Sequence, residues 1–411
     1  MAVITVEKTI GTGKTFSTIQ LWEDGAPGSL TTAEKSAAGT FAVASFTQGE
    51  ALTFVGSGAT GKFLHTDSTG VGTGTYIIYG ITAGNPAASD VVTGDSSGAT
   101  CTLSSGTPTD VGIIWKGLIN NETFSGTSTM LTVAGSTTST TAYKHLTTDT
   151  GASFRDNASV QTNELRANAS NGALVTQSGN TDTIAASENN FHMSGLQIEN
   201  TNATGTFART FRNSGGTGFV SAFCILEGIP ASGIEVYRAI SDVIHDCLMV
   251  QRKSSGGVVF GQANGGTPTL YNCTLVSPAD LTDSAAGILT AATGSVALQN
   301  CGIFGFTALH SGTVTPTYTT CHSDLTGTGI VQVTYANQFE NVNDATRDYR
   351  LKTGADMIGN GSNSTTDTTN APIDIAKTNR PSGTAYDTGC WEFVAAAGAA
   401  LTSKLMLLGV S

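Results

Sequence analysis

The chain has 411 residues, of which only 12% are charged while 39% are hydrophobic. Few charges combined with this hydrophobic share argue against intrinsic disorder. The net charge of −12, with no basic stripe, argues against sequence-independent binding of nucleic acid. Fifty glycines together with abundant Ser, Thr and Asn predict many short strands joined by tight turns, because these residues are poor in helix interiors.

Residues 1–50 are predicted to form an N-terminal cap and docking segment. They contain the best short helix of the chain, which Ser17 or Thr18 can cap, which presents Trp22 on its apolar face, and which Gly25 ends. Such a helix would cover strand edges at one end of a β-structure.

The stretch Gly11-Thr-Gly-Lys14-Thr15 invites interpretation as a phosphate-binding loop. That motif requires a glycine where Lys8 stands, so only half of the loop is present. We therefore interpret the stretch as a turn before the cap helix, and no nucleotide is predicted.

Residues 51–110 carry a short duplication. Ser-Gly-Ala-Thr at 57–60 recurs at 97–100, and a hydrophobic strand at 75–79 lies between the two copies. The pattern predicts a small antiparallel β-module inserted before the main array.

Five of the seven cysteines recur at the same place in a repeated pattern, one short apolar strand flanked by turn residues. Successive members lie 23, 26, 28 and 20 residues apart: Cys224, Cys247, Cys273, Cys301 and Cys321. Ser194 is interpreted as the same slot in an earlier copy. A period of 20 to 30 residues predicts a stacked solenoid over residues 111–335, with the thiols in one buried column. Without CxxC spacing we expect neither zinc nor disulfides, and reduced thiols suggest folding in the cytoplasm.

The solenoid offers few residues for chemistry. Cleavage of a glycan would require paired carboxylates on adjacent coils. The available pairs are Glu227 with Asp246 or Asp242, and Glu235 with Asp242. Because acidic residues are sparse, these are interpreted as surface groups. The six histidines have no HxH or HExxH spacing: His65, His145, His192, His245, His310 and His322. We predict no catalytic, cofactor-binding or metal-binding residues and no enzymatic activity.

Residues 336–411 are predicted to form a C-terminal cap and tail. Four segments of this region, at 348–351, 354–361, 374–381 and 385–393, resemble the closing module of right-handed parallel β-helix proteins of the pectate-lyase-like type. The sequence departs from that module at Ala355-Asp356, Asn360, Lys377 and Cys390. The resemblance implies an all-β, right-handed parallel β-helix but no function, since the module occurs in enzymes and in structural proteins. The apolar stretch 394–410 is too short and interrupted for a membrane span, so we expect it to pack on this chain or a neighbouring one.

The N-terminal half resembles structural proteins of tailed bacteriophages more particularly. The resemblance rests on the segment Phe16–Trp22 and on the Gly-Ala-Thr repeats around Tyr76–Gly80. It implies a homotrimeric capsid decoration, or cement, protein that folds in the host cytoplasm and binds the major capsid protein on the outer shell. No nucleic acid, membrane or cofactor is expected. The alternative is a tailspike or receptor-binding protein that binds or cleaves host polysaccharide, and a bacterial surface adhesin is the third possibility.

Overall fold

The structure of the chain is a computed structural model. It describes residues 2–31, 34–43, 45–66, 76–104, 109–156, 163–202, 208–229, 234–253, 256–263, 265–281, 286–362, 373–383 and 385–395. Among these residues, the regular secondary structure is almost all β-strand, with one α-helix at Ile19–Asp24. Single 3₁₀ turns lie at Phe154–Asp156, Ala169–Asn171, Tyr335–Asn337 and Asp344–Thr346.

Three parallel sheets run along the chain and define a β-helix, since each coil contributes one strand to each sheet in turn. Sheet I contains Ala2–Ile10, Thr109–Ile119, Lys144–Thr148, Phe191–Ser194, Val220–Ala222, Val243–His245, Thr269–Tyr271, Ala297–Gln299 and Thr317–Thr319. Sheet II contains Thr123–Gly126, Leu174–Gln177, Gln197–Asn200, Ile225–Gly228, Leu248–Gln251, Thr274–Val276, Gly302–Phe304, Cys321–Ser323 and Ile330–Gln332. Sheet III contains Leu131–Val133, Ile184–Ala186, Phe211–Asn213, Glu235–Ala239, Val258–Gln262, Ala286–Thr290 and Ala308–Gly312. The predicted parallel β-helix is therefore present.

The five repeat cysteines form the predicted column. Each follows a corner between sheets I and II, has no solvent exposure and carries a free thiol. The backbone N–H of Cys224 donates to Cys247 Sγ at 3.4 Å, and that of Cys273 donates to Cys301 Sγ at 3.4 Å. The column lies inside the coil, in the same hydrophobic cluster as the inward-facing residues of the three sheets. Burial raises the pKa values of Cys247, Cys301 and Cys321 well above the ordinary range, so these thiols stay protonated.

The assignment of Ser194 to the cysteine slot is wrong by two positions. Strand pairing places Ser194 beside Ala222 and Gln197 beside Ile225, so Leu196 stands in the slot of Cys224. The residue before the slot turns the corner with a left-handed backbone, which is Gly195 at φ 69° in this coil. Ser194 ends the preceding strand instead, and its hydroxyl is bonded outside the core.

The coil begins earlier than residue 111. Ala2–Ile10 pairs in parallel with Val111–Ile119 and adds one more strand to sheet I. Thr18 caps the helix by accepting a hydrogen bond from Leu21 N at 3.1 Å, as predicted. The buried Trp22 packs directly over Gly117, where an added Cβ would lie 2.7 Å from the indole ring. The helix therefore rests on the first full coil.

Antiparallel strands separate the first two strands of sheet I. They are Glu34–Val43, Ala51–Val55, Thr60–Thr66, Tyr76–Ala83, Val91–Gly94 and Thr100–Leu103. They enclose a separate small core that includes Phe54, Tyr79 and Cys101. The antiparallel unit starts at residue 34 rather than 51, because Glu34–Val43 pairs with Tyr76–Ala83, between the two copies, and with Thr100–Leu103, at the second copy.

The C-terminal segment lies along the side of the solenoid rather than across its end. Phe339–Asn341 and Asp348–Leu351 form a two-stranded antiparallel sheet. The segment shares a hydrophobic cluster with the outward-facing side chains of sheet II, which are Ile225, Leu248, Val250, Val276 and Phe304. Tyr335 Oη donates to Ser277 O at 2.9 Å, and Ala279 N donates to Val342 O at 2.8 Å. The expected end cap is thus a lateral cover in the part of the chain that the structure describes.

Most of the apolar tail 394–410 lies outside the described residues, so its expected packing stays a prediction. Within the described ranges, no helix is long and apolar enough to cross a membrane.

Candidate functional site: a polar cleft beside sheet I

A polar cleft of about 300 Å³ opens where two strands of sheet I end. Lys144–Thr148 and Phe191–Ser194 form its floor, the following turn forms one wall, and the C-terminal segment contributes the other wall. The lining residues are Thr147, Thr148, Asp149, Thr150, Ser153, Arg155, Asp156, Ser194, Gly195 and Lys377. We refer to this site as the sheet I cleft.

A chain of hydroxyl hydrogen bonds fixes the floor. Ser194 Oγ donates to Thr147 Oγ1 at 3.1 Å, and Thr147 Oγ1 donates to Ser194 O at 2.9 Å. His145 Nε2 lies 2.9 Å from Ser194 Oγ. Because the serine proton is directed at Thr147, His145 is the donor in this contact. The geometry holds Ser194 as a fixed hydroxyl and does not activate it as a nucleophile.

The two histidines beside the cleft are neutral in the folded chain near pH 7. Burial, with smaller contributions from His192 and Lys116, lowers the pKa of His145 to about 4. Burial also lowers the pKa of His192 to about 4. The ring of His192 lies against that of Tyr143, with 3.9 Å between their centroids.

The charged walls are held by contacts within the chain. Arg155 donates from Nε to Ile375 O at 2.8 Å and from Nη2 to Asp374 O at 3.1 Å, while its guanidinium covers the ring of Phe223. Lys377 pairs with Asp156 across the mouth of the cleft. The site therefore presents fixed hydroxyls flanked by charges of both signs, an arrangement that suits a neutral polar ligand with several hydroxyl groups. Among the described residues, no group of three His, Cys, Asp or Glu side chains could hold a metal ion.

Glu227, one of the candidate carboxylates, lies in the interface between sheet II and the C-terminal segment. It has no solvent exposure and pairs with Arg347 through a short contact to Nη2. Its Oε1 also accepts a hydrogen bond from Ala167 N at 2.8 Å. A carboxylate held in this way is inaccessible to substrate.

Asp246 is the corner residue before Cys247 and is also fully buried. Arg380 Nη2 lies 3.0 Å from its Oδ1, and His245 Nδ1 lies 3.0 Å from its Oδ2. Burial raises the pKa of Asp246, against the opposing effect of Arg380. The pair links the C-terminal segment to the coil.

The remaining two candidates are internal as well. Asp242 accepts hydrogen bonds from Asn213 at 2.7 Å and Tyr237 at 3.0 Å, and burial raises its pKa to about 6. Glu235 pairs with Arg209 at 3.2 Å. The expectation that these four carboxylates are surface groups is wrong, because each is buried with a specific partner.

The partially matching phosphate loop is filled by a carboxylate of the chain itself. Glu122 accepts hydrogen bonds from the backbone N–H and the hydroxyl of Thr12, at 2.8 and 2.9 Å. A carboxylate in that position would repel a phosphate, in agreement with the interpretation as a turn.

The cationic partners of the buried carboxylates were not predicted from the sequence. Arg347 and Arg380 lie far along the chain from Glu227 and Asp246, so no local spacing connects them. Lys144 is another buried cation whose carboxylate partners were not predicted. It is fully buried, and its Nζ lies 2.6 Å from Glu23 Oε1 and 2.8 Å from Glu188 Oε2. The cleft was missed for the same reason, since Ser194 and Lys377 meet only in the fold.

No protein-family model matches the sequence, and no curated protein is significantly similar to it. Among solved structures, pectate lyase Pel9A is similar with a TM-score of 0.38 at 11% identity, over 68% of this chain and 88% of that chain. A TM-score this low carries no argument about activity. The class of protein, a parallel β-helix, follows from the strand pairing of the chain itself.

Proposed function

We propose that this chain is a structural protein of a tailed-phage particle, a decoration protein that binds the outer capsid surface as a trimer. The proposal rests mainly on one observation. The four carboxylates of the solenoid that were considered for glycan cleavage form ion pairs and hydrogen bonds inside the protein. These four carboxylates brace the coil and its lateral cover and are therefore not available for glycan cleavage. The assignment to a phage particle rests on the segments in the N-terminal half that resemble structural proteins of tailed phages.

The fold suits such a role mechanically. A β-helix satisfies its backbone hydrogen bonds between coils and behaves as a rigid prism, and trimers match the three-fold positions of an icosahedral shell. We include in the proposal a right-handed coil, the sense found in about 98% of parallel crossovers. The helix at Ile19–Asp24 would act as the end cap and the antiparallel unit as the docking surface.

The test is reconstitution on shells that lack the chain. Purified protein should co-sediment with such shells and raise their melting temperature. Val55, on the antiparallel unit, is 58% exposed, and Val55→Glu should weaken shell binding. Val331, 51% exposed in the last strand of sheet II, provides the matched control Val331→Glu, which should bind normally. Failure of the unaltered protein to bind shells would refute the proposal.

The sheet I cleft supports a second candidate function, the binding of a host-surface glycan without its cleavage. Fixed hydroxyls of Thr147 and Ser194 beside Asp149 match the hydrogen-bonding groups of a sugar. Calorimetric titration with oligosaccharides from the host envelope tests it. Asp149→Asn and Thr148→Val should weaken binding, whereas Thr319→Val, at an exposed position of the last coil of sheet I, should not. Equal affinity in all variants would remove the cleft from consideration.

A further inference from the structure

The last coil of the solenoid ends in an opening that the segment around Gly327 covers only in part. Among the described residues, Ala308–Gly312 of sheet III and Thr317–Thr319 of sheet I pair with a neighbouring strand on one side only. Sheet II continues for one more strand, Ile330–Gln332. Two of the three sheets thus end in open edges, which folded proteins normally cover.

A cavity of about 450 Å³ lies within this opening. Leu309, Tyr318 and Leu325 line it, and all three belong to or pack against the central core of the solenoid. The edge of the hydrophobic core therefore borders the opening, together with His310 and four threonines. At the opposite end, Ile19 and Trp22 of the α-helix are buried over the first full coil.

The composition of residues 396–411 suits this opening. The stretch reads AAGAALTSKLMLLGVS, in which Lys404 is the only charged side chain. Leu401, Leu405 and Leu408 follow the spacing that aligns side chains on one face of a helix. Such a face is complementary to the apolar part of the cavity lining, formed by Leu309, Tyr318 and Leu325.

The last described residues before this stretch also lie close enough to the opening for the stretch to reach it. Gly389 N donates to Asn300 O at 2.8 Å, and Cys390 N donates to Thr274 Oγ1 at 3.1 Å. Asn300 lies at a corner one coil before that of Cys321, and adjacent coils are about 4.8 Å apart. The stretch from 396 to 411 spans about 24 Å as a helix and about 50 Å when extended.

We propose that residues 396–411 of the same chain cover the open end of the solenoid and fill the cavity at Leu309, Tyr318 and Leu325. The connection to Ala395 gives the segment a high local concentration at this site, which favours it over a second copy. The inference goes beyond the proposed function, and it holds wherever the protein is located.

Cross-linking in the full-length chain tests this directly. Thr328, exposed at the rim of the cavity, is changed to Cys together with Leu407→Cys. All seven native cysteines are buried, so a short bis-maleimide should join only the two new thiols, in a product of single-chain mass. Lys14→Cys with Leu407→Cys, placed at the opposite end, should not react. No cross-link in the first pair, or a product of two-chain mass, would overturn the proposal.

Removal of residues 396–411 gives a second readout. The shortened chain should bind a hydrophobic dye at the exposed cavity and melt at a lower temperature, and added peptide 396–411 should reverse both effects. Leu309→Asp in the shortened chain should abolish rescue by the peptide. Unchanged dye binding and melting after the deletion would contradict the proposal. If the shortened chain does not fold, the cross-linking experiment in the full-length chain still tests the proposal.

Discussion

At the residue scale, the buried ion pairs dominate the polar interior. Glu227 with Arg347 and Asp246 with Arg380 join the coil to the C-terminal segment with little or no exposure to solvent. Desolvation of both charges offsets much of the attraction, so such pairs contribute modestly to stability while intact. Their loss is costly when only one partner is removed, because a charge then stays buried alone.

Arg347→Met should therefore lower the free energy of unfolding by about 3–5 kcal/mol. Denaturant titration measures this free energy of unfolding. The double variant Arg347→Met/Glu227→Gln should recover part of the loss, since no bare carboxylate is left. Lys35→Met, which breaks a partly exposed pair with Asp110, is the control and should cost less than about 1 kcal/mol. Equal effects of Arg347→Met and Lys35→Met would show that Glu227 is solvated.

The pKa of His145 predicts a specific dependence of stability on pH. The folded-state pKa is about 4, below the ordinary value of 6.5, so the unfolded chain binds the proton more tightly between these values. The contribution of His145 to stability is therefore complete above pH 6.5 and is lost as the pH falls toward 4. Asp242, Asp374 and Asp387, with pKa values raised to about 6, act in the opposite direction between pH 4 and 6.

Comparison with a variant isolates the histidine from those carboxylates. His145→Gln should reduce the loss of stability between pH 6.5 and 4, by at most about 3 kcal/mol. Thermal melts at four or five pH values provide the measurement. His310→Gln, on sheet III, controls for the removal of an imidazole elsewhere. A pH dependence that is the same in the wild type and in His145→Gln would contradict the burial of this side chain.

At the element scale, the corner between sheets I and II sets the register of the coils. The residue before each slot of the column has a left-handed backbone, from Gly195 at φ 69° to Thr320 at φ 54°. A left-handed conformation costs a β-branched residue about 1–2 kcal/mol, whereas glycine adopts it freely. Asn272 and Asn300 occupy two of these corners and hydrogen-bond to each other at 3.2 Å.

Thr320→Gly should consequently leave stability unchanged or raise it by up to about 1 kcal/mol. Thr319→Gly, one residue earlier in a strand, should lower it. Gly195→Ala should also be destabilising, because alanine would have to adopt the left-handed backbone conformation that glycine has at this position. Urea titration of the three variants tests the corner; a loss in Thr320→Gly as large as that in Thr319→Gly would refute it.

The column was predictable because its signal is local and repeated. Each cysteine slot reappears within one coil, so spacing alone revealed it. Ser194 was misassigned because the first copy has leucine in the slot and glycine at the corner, which disguises the register. Ala2–Ile10 was missed as a strand of the coil since it carries no copy of the motif.

At the scale of the whole molecule, the lateral position of the C-terminal segment was not predicted, although the sequence contains a signal for it. Strands of sheet II have apolar residues at consecutive positions, such as Ile225-Leu226 and Leu248-Met249-Val250. Strands that are apolar on both faces are covered on both faces. The identity of the cover, and the match of Arg347 and Arg380 to their carboxylates, depend on contacts between distant parts of the chain.

The shared core predicts that solenoid and C-terminal segment unfold together. Phe339 is buried, and its ring centroid lies 5.5 Å from that of Phe304 and 5.6 Å from that of Tyr349. Phe339→Ala should cost about 3–5 kcal/mol and lower the temperature of one common transition. Scanning calorimetry provides the measurement, with Val331→Ala at an exposed position as control. A separate low-temperature transition in Phe339→Ala, with the main one unchanged, would show an independent unit.

The proposal that this β-helix is a structural rod of the capsid surface can be tested on a density map of the intact phage particle. We expect trimers of the solenoid to stand on the outer shell at three-fold or quasi-three-fold positions. Density for the chain only on the tail would contradict it.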